Sequence, residues 1–228
     1  MHQHSLNIDA LNIINSNIAR HSPHPQKVQV VAVTKNFNYT AIHSAIQNKL
    51  TCIGENRVHE FLSKISQLSP DPKIEPHLIG HLQRNKTIKA LKVFDVIETV
   101  DSIKLAHDIN KKADTINKKQ KIYIQINIGQ DPKKYGFLPN EIYSQIEKIM
   151  LLSNISIRGV MTILPFLSNP KDTQPLFNKM YKIQTKIQSE LAPQCTALSM
   201  GMSRDYIYAL KEGATHLRLG TILYGKRE

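Results

Sequence analysis

Residues 28–35 read VQVVAVTK, and the choice of fold turns on this stretch. Six of the eight residues are apolar or β-branched and show no helical spacing, the pattern of a strand buried on both faces. Lys35 closes the run, and Asn36, Phe37 and Asn38 interrupt it before an amphipathic segment at 39–48. A lysine at the carboxyl end of the first parallel strand of a barrel stands at the rim where barrel sites form. Partial desolvation there lowers an amine's pKa and makes it a nucleophile toward an aldehyde. A strand-end lysine on its own more often snorkels to solvent, so the assignment depends on the rest of the chain.

Short buried runs recur at 51–54, 74–80, 96–100, 121–128, 155–163, 197–200 and 216–219 and read as seven further strands. Helical segments separate them near 56–66, 84–91, 139–152, 172–191 and 203–212, with one more capped by Asp101 or Ser102 and running to about 118. Alternation of this kind predicts a parallel sheet. Eight βα units in 228 residues predict a TIM (β/α)8 barrel, one domain over 1–228. The alternative, an open doubly wound sheet, normally carries G-x-G-x-x-G after its first strand, and that motif is missing here. Ahead of the barrel, Leu6, Ile8, Leu11, Ile14 and Ile18 predict an extra amphipathic helix at about 5–20, with Ser5 as its cap.

The apolar and charged fractions are those of an ordinary globular protein, and no apolar run approaches a membrane span. The amino terminus lacks the basic and apolar regions of a signal peptide. Cys52 and Cys195 are far apart and belong to no CxxC pair, as expected of reduced thiols in a cytoplasmic protein. The formal charge of +12 raises nucleic-acid binding. Its lysines are scattered along helices, however, with no arginine-rich block, zinc-finger spacing or aromatic–basic signature, so that reading is disfavoured. His77 and His81 are four residues apart but on an extended segment, which does not place them on one face as metal ligands.

Polar residues collect just past the strands. Gly54, Glu55 and Asn56 follow the second; Gly80, His81 and Gln83 the third; Met161 and Thr162 the sixth. The seventh ends in Ser199-Met200-Gly201-Met202-Ser203 and the eighth in Arg218-Leu219-Gly220-Thr221. Loops after strands seven and eight commonly bind phosphate in barrels. Gly201 and Gly220 are expected to let backbone approach a ligand, Ser203 to cap a helix, and Ser199, Ser203 and Thr221 to donate hydroxyls. Either loop alone reads equally well as a tight turn. In a closed barrel, though, strand one adjoins strand eight, so a phosphate held there and an aldehyde on Lys35 can belong to one ligand. Pyridoxal 5′-phosphate has that shape.

The segments VAVTK, GENRVHEF, HLIGHLQRNK, ETVDS, QINIGQDPKKYGF, IRGVMTI and LSMGMSRDYIYALKEGATHLRLGTILYGKR resemble the pyridoxal phosphate homeostasis protein family, also called YggS/PROSC-like proteins. The resemblance runs from about residue 28 to 227, in unchanged order. It implies a barrel like the alanine racemase amino-terminal domain, with pyridoxal phosphate in a Schiff base on Lys35. It further implies phosphate binding by Ser199, Ser203, Gly220 and Thr221, Arg218 facing the pyridine nitrogen, and Asn56, Ile79, His81 and Met200 around the ring. Asn36, Phe37 and Asn38 replace the family's usual lysine and proline, and Thr34 a more usual serine. Lys134 matches a lysine commonly found before the glycine of its loop.

An arginine beside the ring nitrogen disfavours its protonation and so weakens the ring as an electron sink. Alanine racemases also use a tyrosine from a carboxyl-terminal β-domain, which is expected to be missing here because only three residues follow Gly225. The resemblance therefore implies a carrier that buffers the cofactor and supplies pyridoxal-phosphate-dependent apoenzymes, with no strong turnover. A weak racemase, or an aldolase-like barrel using Lys35 on a sugar phosphate, is the competing class.

Overall fold

The computed structural model describes residues 5–68 and 72–225. Eight parallel strands close into a barrel in chain order: β1 Gln29–Val33, β2 Cys52–Glu55, β3 Glu75–Leu78, β4 Val96–Val100, β5 Gln120–Gln125, β6 Ile155–Met161, β7 Ala197–Ser199 and β8 His216–Leu219. Strands β1 and β8 pair directly, with Val31 opposite Arg218 and Ala32 opposite Leu219. Val30 to Val33 are all buried, because the strand faces the interior on one side and the helices on the other. The expected alternation of strand and helix, and the closure, are both present.

The helices are α1 Ile8–His21, α2 Tyr39–Gln47, α3 Val58–Ile65, α4 Thr87–Val93, α5 Ile103–Asp114, α6 Ile142–Met150, α7 Gln174–Glu190, α8 Tyr206–Lys211 and α9 Thr221–Tyr224. They bury one stripe each against the strands; Leu105, Ala106, Ile109 and Ala113 on α5 are typical. Ser102 caps α5 by accepting from the Leu105 N–H, as expected. Helix α1 differs from expectation. Asn7 is its cap, accepting from the Ala10 N–H, and the helix starts three residues after Ser5, while residues 1–4 lie outside the described range. It packs on α8 and α9, where Asn17 donates to the Tyr206 hydroxyl at 2.8 Å and the Asn7 N–H to the Leu223 carbonyl at 2.9 Å.

Several helices begin later than their apolar spacing suggests. Helix α4 follows a 3-10 turn, Arg84–Lys86, and α8 starts three residues after Ser203. Strand β5 ends at Gln125 rather than Ile128, because the Asn127 N–H turns to the Phe137 carbonyl at 3.0 Å. Among the described residues no helix is long and apolar enough to cross a membrane.

The barrel interior is partly polar. His77 on β3, Glu98 on β4, Tyr123 on β5, Ser199 on β7, and His216 and Arg218 on β8 are all buried and interact across strands that are not neighbours. Only contact through the interior joins such pairs.

Candidate functional site

A cleft of about 590 Å³ opens at the carboxyl ends of the strands. Each strand end supplies lining: Lys35 after β1, Asn56 after β2, Ile79, Gly80 and His81 after β3, Thr99 in β4, Gln125 in β5, and Ile163 after β6. Met202, Ser203 and Arg204 follow β7, and Arg218, Gly220 and Thr221 come from β8 and its end. Eight of the ten expected site residues therefore share one cavity.

Ser199 and Met200 do not reach it. The Ser199 hydroxyl donates to Glu98 Oε2 at 2.6 Å and accepts from Arg218 Nη1 at 2.7 Å, so it is engaged inside the barrel. Met200 is wholly buried in the apolar core. Ser203 lines the cleft but does not cap α8; Asp205 takes that position and accepts from the Met202 N–H at 2.6 Å. The Ser203 hydroxyl instead accepts from the Ile222 N–H at 3.3 Å, tying the loop after β7 to the start of α9. Gly201 is required by its positive φ of 88° and by packing, since a Cβ would lie 2.6 Å from the Ala209 Cβ. Gly80 does serve close approach: a Cβ would fall 2.3 Å from the Asn56 carbonyl oxygen, where the ends of β2 and β3 meet the cleft.

Arg218 forms part of the floor. Its Nη2 donates to the Thr162 carbonyl at 2.6 Å and its Nη1 to Ser199, which fixes the plane of the guanidinium. Burial pulls its pKa down, and Glu98 and Asp205 oppose that pull. Glu98 anchors the network, with His77 Nδ1 2.6 Å from its Oε1. Burial alone would push Glu98 up; the hydrogen bond and charge of His77, then Arg218, outweigh it and hold the carboxyl below its usual range. Burial likewise pulls His77 down but is outweighed by Cys52, Glu75 and Glu98. For His216 the balance goes the other way: burial, with the charges of His77 and Arg218, outweighs the pull of Glu98 and Glu75 and pushes it down to about 4, and its Nε2 lies 3.2 Å from the Tyr123 hydroxyl.

At the mouth, His81 stacks on Tyr135 with ring centroids 4.1 Å apart and sits 3.0 Å from Asp101 Oδ2. Phe166, largely exposed, lies under Arg204. The lining thus combines two amines, Lys35 and Lys134, two guanidinium groups and five hydroxyls with a single carboxylate, Asp205, whose Oδ1 already accepts from backbone. A cation-rich, hydroxyl-bearing cleft with an amine at the end of its first strand suits a small phosphorylated aldehyde.

Glu55 and Thr162 were noted from sequence only as polar residues past their strands, and Glu98, Glu60 and Lys64 were not singled out at all; Glu55 and Lys64 are buried and Glu60 half-buried beside the β1 end. A carboxylate inside the buried run VIETV was the available signal for Glu98.

Comparison with known proteins narrows the chemistry. The family described as alanine racemase, N-terminal domain, matches residues 7–228. A pyridoxal phosphate homeostasis protein of Aquifex aeolicus is 39% identical over 179 residues, covering 78% of this chain and 78% of the relative. One from Haemophilus influenzae is 34% identical over 227 residues, 99% of this chain and 95% of the relative. The chain belongs to the pyridoxal phosphate homeostasis protein family. Among solved structures, PipY of Synechococcus elongatus with pyridoxal phosphate bound superposes with a TM-score of 0.81 at 35% identity, covering 93% of this chain and all of PipY. An alanine racemase of Clostridium difficile shares the fold, with a TM-score of 0.74 at 19% identity over 98% of this chain and 57% of the racemase. In this homeostasis-family barrel, then, the cavity residues lie on a fold already seen with pyridoxal phosphate.

Proposed function

We propose that this protein binds pyridoxal 5′-phosphate through a Schiff base to Lys35 and acts in cytoplasmic homeostasis of that cofactor, with residues 1–228 serving as one binding domain. The observation that carries the reading is the pairing of β1 with β8, which brings Lys35 into the same cavity as Arg218, Gly220, Thr221 and Ser203. Lys35 would hold the cofactor through its amine, and the cofactor, when bound, would supply a reactive carbonyl carbon and a conjugated ring. Ser203, Thr221 and the backbone around Gly220 receive the phosphate. Asn56, Ile79 and His81 line the ring's surroundings, and Arg218 presents N–H groups toward the ring nitrogen.

Arg218 separates a carrier from an enzyme. A permanently charged donor at that nitrogen disfavours its protonation, and chemistry that relies on a pyridinium electron sink is disfavoured with it. The protein then holds a reactive aldehyde through Lys35, keeps its free concentration low, and hands it on to dependent apoenzymes. The test is to mix cofactor-loaded protein with a pyridoxal-phosphate-dependent apoenzyme and follow recovery of that enzyme's activity, while assaying the protein alone for racemisation and retro-aldol cleavage. Recovery without intrinsic turnover supports the reading. Turnover that disappears in Lys35→Ala overturns it in favour of an enzyme.

A further inference from the structure

A second buried charge cluster lies on the outer side of β1 and has no part in closing the barrel. Lys64, on α3, is only 4% exposed. Its Nζ donates to Glu55 Oε1 at 2.6 Å, to Glu60 Oε1 at 2.6 Å and to the Thr34 carbonyl at 2.8 Å. The Thr34 hydroxyl donates to the same Glu55 oxygen at 2.6 Å, and Glu60 Oε1 accepts the Asn36 N–H. The peptide groups on both sides of Lys35 are therefore held by one cluster, reaching across from α3 and the end of β2.

Stability does not explain this arrangement. Apolar side chains of similar volume would serve the core as well or better than a buried ion pair. Glu55 Oε2 has no hydrogen-bond partner among the described residues, and burial pushes the Glu55 carboxyl up against the pull of Lys64 and Thr34. The backbone it holds is uncommon: Asn36 has φ 63°, a left-handed conformation that few non-glycine residues adopt, asparagine more readily than most. The Phe37 N–H completes the turn on the Thr34 carbonyl at 3.1 Å. Local rules are broken here in three ways at once, beside the one residue whose direction matters most to the chemistry.

We propose that Lys64 and Glu60 are a positioning pair that sets the turn at residues 34–37 and thereby the approach of the Lys35 amine to the aldehyde. The inference rests on the cofactor reading above. Neither residue lines the main cleft, so neither touches the ligand. Their removal should alter how fast the imine forms once the ligand is in place, and leave the first encounter alone.

The experiment is stopped-flow mixing of the full-length protein with increasing pyridoxal 5′-phosphate, following the visible imine band. Lys64→Met and Glu60→Ala should lower the saturating rate roughly tenfold or more, as expected for a displaced reacting group, with the half-saturating concentration unchanged. Glu60→Gln keeps an oxygen that can accept the Asn36 N–H and should recover most of the rate; a merely structural role predicts no such rescue. Ser203→Ala should show the opposite split, a raised half-saturating concentration at an unchanged saturating rate. Should Lys64→Met not fold, the three-way comparison of wild type, Glu60→Ala and Glu60→Gln decides. Wild-type rates in Lys64→Met and Glu60→Ala would overturn the positioning role while leaving the cofactor assignment standing. Absence of the band in the wild type would instead overturn the cofactor assignment.

Discussion

Arg218 on β8 and Lys35 just past the end of the neighbouring β1 are secured by the fold from opposite sides. Arg218 pairs in register with Val31, four residues before Lys35, and is held by its own side chain from within the barrel through Ser199, Thr162 and, beyond Ser199, Glu98. Lys35 stands past the strand end, where the backbone on either side of it is held from outside by Lys64 and Glu60. The difference follows from what each has to do. A floor donor that stays charged benefits from a rigid guanidinium plane. A nucleophile has to reach and release its target from a set position, and here the peptide groups on both sides of it are the fixed points.

The largest effect should come from breaking the inner side. Glu98→Ala leaves His77 and Arg218 buried without their shared carboxylate and removes the acceptor of the Ser199 hydroxyl. Urea denaturation should show a loss of about 3–5 kcal/mol, the range for breaking a buried pair by deleting one partner. A loss below about 1 kcal/mol would mean the inner network is not what holds Arg218.

Acidity should test the inner region from two directions. His216, pushed down to about 4, binds fewer protons folded than unfolded. Its contribution is therefore fully present above the unfolded value of 6.5 and lost as pH falls from there toward 4. His77, held above 6.5, works in the other direction: its contribution is present below 6.5 and is lost as pH rises through its folded value. Stability measured against pH should fall on both sides of neutrality, and His216→Gln should flatten the acid side alone.

At the seam between the two regions, Gly80→Ala should force the ends of β2 and β3 apart, because the new Cβ meets the Asn56 carbonyl at 2.3 Å. Overpacking of this kind costs about 1–3 kcal/mol and should show as a lowered Tm together with weaker cofactor binding. The smallest effects belong to the anion corner. Ser203→Ala or Thr221→Ala should each weaken cofactor retention by roughly tenfold, the scale of one lost hydrogen bond to a charged group, without shifting the Tm appreciably. Unchanged affinity in both would place the phosphate elsewhere.

The barrel was legible in the sequence because strands buried on both faces are written as short apolar runs. The limits of 96–100 and 216–219 coincide with β4 and β8. Helix starts were less legible. Residues such as Arg84 and Ser203 continue the polar-apolar rhythm of the helix that follows, yet the chain uses them as loop, and only the tertiary position of the cleft requires it. Helix α9, four residues long, is too short to produce a periodic signal. Cleft residues at strand ends could be found by counting strands, which is why Lys35, Arg218 and Thr221 were placed together. The partners of Ser199 were not legible because a hydroxyl in a Ser-Met-Gly-Met-Ser run looks the same whether it faces a ligand or a buried arginine. Glu98 and Lys64 went unremarked for a related reason: a single charged residue in or near a buried element reads as its solvated edge until its partners, far away in sequence, are seen.

The most direct test of the central claim is the visible spectrum of the purified protein with pyridoxal phosphate, followed by borohydride reduction and peptide mass mapping. An imine band in the violet, with the reduced adduct on Lys35 and the band absent in Lys35→Ala, is the predicted result. An adduct spread over surface lysines, or no band, would contradict it.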